Sequence, residues 1–113
     1  MSEVFNEGDG CVATGPPETE AGGVLTVDLG ALVANWRLLQ ARAGGAECAA
    51  VAKADGYGLG LSAVVRALRA AGCRSFFVAD LSEAVAAREA CGDGTIHVLN
   101  GLLPGTAGTY AGL

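Results

Sequence analysis

Residues Cys48 to Gly60 read CAAVAKADGYGLG, and this stretch decides the fold. Its first five residues are small, uncharged and apolar, the composition of a strand buried on both faces of a parallel sheet. Lys53 comes next, and Gly56, Gly58 and Gly60 then let the backbone bend tightly and approach other groups closely. The pattern predicts an amine delivered to the rim of a sheet. Two readings of that amine stand side by side. It is a solvated lysine at an ordinary βα turn, or a nucleophile for the carbonyl of an aldehyde cofactor. The second needs a neutral nitrogen, which partial burial favours.

The same alternation extends in both directions. Val24–Val27 is a short β-type run, and Asp28 is placed to cap the next helix. Leu29, Leu32, Val33, Trp36 and Leu39 recur at helical spacing, and Gly44-Gly45 ends that helix. Beyond the lysine turn, Val64, Val65, Leu68 and Ala71 form one stripe of a helix starting near Ser62 and closed by Gly72. Ser75–Ala79 reads as a buried strand, and Asp80 with Glu83 forms a capping box for a helix through about Ala90. Thr95–Leu99 is the next strand, before a loop over Leu102–Gly105. Strands alternating with helices predict an α/β fold of parallel βαβ crossovers. An open doubly wound sheet and a closed barrel both satisfy that alternation. Neither GxGxxG nor GxxxxGK[ST] comes after any strand, which weakens a nucleotide-binding reading.

Composition narrows the function further. The 113 residues suit one small domain, and 51% hydrophobic against 17% charged residues is enough to bury a core. A net charge of −5 with no basic stripe argues against nucleic acid as a partner. Cys11, Cys48, Cys73 and Cys91 show no CxxC or His-paired spacing, so no metal site is expected and they read as small hydrophobes in a reducing compartment. His97 lies within an apparent strand and reads as a structural residue. No apolar run is long enough for a bilayer, and the acidic N-terminus lacks the features of a secretory signal, so a cytoplasmic location without membrane association is expected. Residues 1–23, with five acidic residues among Gly, Asn and Pro16-Pro17, read as a disordered acidic N-terminal tail.

Taken together, the segments resemble the N-terminal portion of bacterial alanine racemases. VDLGALVAN (Val27 to Asn35) looks like that family's opening strand and helix, and KADGYGLG (Lys53 to Gly60) like its cofactor-lysine motif, with Leu59 where the family usually has His. FFVADLSEAVAARE and then IHVLNGLLPG look like its next two βα units. The resemblance implies a partial parallel (β/α)8 TIM-type barrel with about three barrel strands, residues 24–113 forming the N-terminal part of a pyridoxal-phosphate barrel. It implies pyridoxal 5'-phosphate as cofactor, alanine as substrate, D-alanine for peptidoglycan as the purpose, and a homodimer for the full-length family. Lys53 then matches the catalytic lysine that holds the cofactor and acts as one of two opposed bases. Tyr57 matches a cofactor-binding tyrosine near the phosphate. The family's other base lies later in the chain, so these residues alone are expected to be inactive. A non-catalytic pyridoxal-phosphate barrel, or a related racemase of other specificity, is the alternative.

Overall fold

The computed structural model describes residues 15–113, together with the backbone of two short strands, β1 (Val4–Phe5) and β2 (Val12–Ala13), paired antiparallel. Residues 1–3, 6–11 and 14 of the expected tail lie outside the described residues, and residues 15–23 carry one 3-10 turn at Glu18–Glu20. The run Val24–Val27, expected to be strand, is not one. It has no strand partner among the described residues, and Val24 and Leu25 are exposed.

Helix α1 (Leu29–Arg42) starts where the Asp28 carboxylate accepts from the Ala31 amide at 2.8 Å. Leu29, Leu32, Val33 and Trp36 pack on the core as their spacing predicts, but Leu39 at the helix's far end is exposed. Side chains then strap the helix to the segment after it. The Trp36 indole donates to the Cys48 carbonyl at 2.9 Å, and Gln40 donates to the Ala46 carbonyl while accepting from the Cys48 amide.

Three parallel strands form the sheet, β3 (Ala50–Val51), β4 (Ser75–Val78) and β5 (Thr95–Val98), in that spatial order. The register sets Val51 beside Phe77 and Phe77 beside His97. The lysine turn carries a short helical segment, α2 (Lys53–Tyr57). Helices α3 (Leu61–Ala71) and α4 (Leu81–Cys91) carry the crossovers and cover one face of the sheet. On that face Ala50, Ala52, Phe76 and Val78 meet Leu61, Val64, Val65, Leu68, Ala84 and Ala87, all buried. Three parallel strands joined by two helical crossovers fit a portion of a barrel wall.

The opposite face is open, which corrects the reading of the lysine strand as buried on both sides. Val51 is 48% exposed, and His97 stacks on Phe77 with ring centroids 4.4 Å apart. In a barrel this face would turn inward. His97 is therefore a strand residue, as its position suggests, and the described residues hold no cluster of metal-ligating groups. Cys73 and Cys91 are buried free thiols and Cys48 is half-buried, while Cys11 lies outside the described residues. Burial pushes the Cys73 thiol above its ordinary pKa.

Two exposed carboxylates titrate low for different reasons. Asp80 accepts from the Glu83 amide and the Ser82 hydroxyl, and Asp93 is paired with Arg69. Both hold folded-state pKa values below the ordinary 3.8, so their stabilisation is complete above that value and is lost as pH falls through the lower folded one. Thermal unfolding is expected to move to lower temperature as pH drops from about 5 to about 2, less steeply in Asp80→Asn. An acid limb identical in that variant would show that the Asp80 cap does not contribute.

Candidate active site

The C-terminal ends of parallel strands converge on one rim, and in closed barrels that rim carries the chemistry. Lys53 stands on it. The last sheet hydrogen bond of its strand runs from the Ala52 amide to the Phe77 carbonyl at 2.8 Å, so Lys53 is the first residue beyond the sheet. It is half-buried and is the chain's only lysine.

The segment after Lys53 is not the ordinary βα turn that glycine spacing suggests. Within α2, Ala54 and Asp55 both have φ 54°, Gly56 has 64° and Tyr57 has 57°. Gly58, at φ 82°, closes the turn. The backbone thus makes one turn of left-handed helix through three residues that carry a Cβ. Each such residue costs about 1–2 kcal/mol relative to the right-handed form, and runs of this kind persist only where the surroundings over-determine them.

The surroundings here are identifiable. Within the turn, the Gly56 amide donates to the Ala52 carbonyl and the Gly58 amide to the Ala54 carbonyl, both at 2.9 Å. The Gly60 amide returns to the Asp55 carbonyl at 2.9 Å. The Asp55 side chain accepts from the Leu61 amide at 2.8 Å, satisfying an orphan donor at the start of α3 across Gly60. Gly56 is buried against α3, where a Cβ would stand 3.2 Å from a Val64 methyl.

One further contact comes from the next βα unit. The Glu83 carboxylate accepts from the Asp55 amide at 3.0 Å through Oε1 and from the Ala79 amide at 2.8 Å through Oε2. As a capping residue Glu83 reaches back to Ala79, one position before the cap, rather than to Asp80 itself. Its second oxygen crosses to the lysine turn 28 residues earlier in sequence. Periodicity could not reveal this, because a capping box is a local pattern.

The left-handed turn leaves Tyr57 62% exposed and Leu59 41% exposed. Lys53 and Tyr57 therefore share one short segment at the strand-end rim. A cavity of about 230 Å³ lined by Trp36, Gln40, Glu47, Cys48 and Arg74 lies elsewhere. Cys48 and Arg74 precede β3 and β4, which places it at the opposite end of the sheet from Lys53. The strand-end rim carries the amine, so the candidate site lies there.

The fold and rim define a class: a segment of a parallel β/α barrel that presents an amine from the end of its first barrel strand. The chain belongs to the family described as alanine racemase, N-terminal domain, whose model matches residues 27–111. It is 62% identical over 89 residues to an alanine racemase of Methylobacterium nodulans, covering 79% of this chain and 24% of that protein. It is 50% identical over 109 residues to a catabolic alanine racemase of Mesorhizobium japonicum, covering 94% of this chain and 29% of that one. Among solved structures, an alanine racemase from Bartonella henselae with covalently bound pyridoxal phosphate superposes with TM-score 0.72 at 39% identity, covering 76% of this chain and 25% of that one. The chain thus spans about a quarter of the length of these relatives. The partial barrel implied by the sequence motifs is the fold observed, and the family is one of pyridoxal-phosphate-dependent racemases.

Proposed function

We propose that the chain supplies the cofactor-lysine portion of an alanine racemase that interconverts L-alanine and D-alanine. The observation that carries this is Lys53, the chain's only lysine, standing first beyond β3 on a left-handed turn held from two sides. The residues fit pyridoxal phosphate by their chemistry: a primary amine for its aldehyde and a phenol hydroxyl, on Tyr57, for its phosphate. When bound, that cofactor makes the substrate Cα–H acidic by drawing electron density into its ring. Lys53 then has two tasks, holding the cofactor covalently and moving a proton at one face of Cα. Tyr57 donates a hydrogen bond that orients the phosphate. Residues 24–113 form the barrel unit, and residues 1–23 are an acidic N-terminal tail. The whole protein acts as a cytoplasmic homodimer. No helix among the described residues is long and apolar enough to cross a membrane.

Mixing the chain with pyridoxal phosphate is expected to produce visible-range absorbance, and borohydride should fix one cofactor on Lys53 by peptide mass. Lys53→Ala should abolish both signals. Equal signals from the two proteins would leave the assignment without support.

D-Alanine for peptidoglycan is the purpose we favour. The 50% identity to a catabolic relative supports a second direction, breakdown of D-alanine by the same chemistry. Disrupting the gene separates them: a D-alanine requirement on every medium marks supply, and a defect only on D-alanine as carbon source marks breakdown.

A further inference from the structure

The left-handed turn after Lys53 is unfavourable for residues that carry a Cβ, so something outside it must select it. One side chain from outside the turn reaches its backbone, that of Glu83. Asp55 belongs to the turn itself and is spent on the first amide of α3. Glu83 belongs to a different βα unit, and its two oxygens take one amide each from the two neighbouring strand ends, Asp55 beyond β3 and Ala79 beyond β4. A carboxylate is well suited to this, being acceptor-only with an oxygen for each donor. Asp55 lies two residues after Lys53, so a turn released there changes the backbone direction from which the amine springs.

We propose that Glu83 is a positioning residue for Lys53: by accepting from the Asp55 and Ala79 amides it fixes the left-handed turn and thereby the direction of the amine. The proposal rests on Lys53 being the cofactor lysine. It goes beyond the local capping role that the sequence assigns to Glu83. Glutamine at this position would keep the shape but offer one acceptor oxygen for two donors, leaving one amide facing an NH2 group. Alanine would leave both amides without a partner.

The test compares the unsubstituted chain with Glu83→Ala and Glu83→Gln. Amide hydrogen exchange is measured at Asp55, Ala79 and the β4 amides without cofactor, and borohydride trapping at Lys53 is titrated with pyridoxal phosphate. In Glu83→Ala, exchange at Asp55 should quicken about tenfold or more, and the half-maximal cofactor concentration should rise about tenfold, while β4 exchange stays unchanged. Glu83→Gln should fall between. Unchanged Asp55 exchange would overturn the proposal, as would faster exchange with an unaltered titration. If Glu83→Ala also loses β4 protection, the same two criteria are applied to Glu83→Gln. If the unsubstituted chain traps no cofactor, the functional reading fails by itself. The rate of Lys53 methylation by formaldehyde and borohydride then decides: equal rates in the unsubstituted chain and the variant overturn the positioning role, and unequal rates sustain it.

Discussion

Phe76→Ala is expected to remove most of the chain's stability. Phe76 is the largest fully buried side chain among the described residues, lying on the helix-covered face of the central strand β4 and paired in register with Ala50 and Ile96. Its neighbours across the sheet are small on one side, so no large side chain there can lean into the space left behind. Truncating a buried Phe costs about 3–5 kcal/mol, a transfer loss plus a residual cavity. Domains of ordinary stability hold roughly 5–15 kcal/mol in total, and small ones lie toward the lower end. Urea titration monitored by far-UV circular dichroism should show the midpoint collapse. Val85→Ala, at a 40% exposed position on α4, serves as the matched control and should shift by no more than about 0.5 kcal/mol. Equal midpoints for the two variants would mean that the core around Phe76 does not hold the chain together.

Gly56→Val should act on fold and site together. The residue has φ 64°, and a Cβ there would meet a Val64 methyl at 3.2 Å and the Leu61 backbone at 3.4 Å. A β-branched side chain adds a further methyl to that crowding. Backbone strain of about 1–2 kcal/mol and overpacking of about 1–3 kcal/mol give a combined loss of roughly 2–5 kcal/mol. Because the crowding separates the lysine turn from α3, cofactor trapping at Lys53 should also fall. Gly58→Ala isolates the first contribution, since its φ is 82° but nothing lies within 4 Å of the added Cβ. It should cost about 1–2 kcal/mol and leave trapping largely intact. Should Gly56→Val cost no more than Gly58→Ala, the close seat of the turn on α3 would be refuted.

The contrast between these two glycines shows where sequence reading stops. GYGLG spacing announces a turn that needs positive φ, and all three glycines do have it. Ala54, Asp55 and Tyr57 have it too, and nothing in their side chains announces it. Alternating apolar runs located α1, α3, α4 and the three barrel strands because burial imposes a period on each element separately. Val24–Val27 failed as a strand because β propensity is realised only when a neighbour supplies the ladder. Leu39 failed as a core residue because the stripe on α1 runs past the edge of what it covers. The motif singles out Lys53 and Tyr57, and the structure sets both on one short segment, while Glu83 was legible only as a local cap.

The sequence by itself determined the βα alternation, the helix starts at Asp28 and Asp80, and the lone lysine at a strand end, because each rests on forces acting within a few residues. Tertiary structure alone decided the handedness of the turn after Lys53 and the second task of Glu83. Those depend on a hydrogen bond between residues 28 positions apart, and only the packing of one βα unit against the next brings its donor and acceptor together.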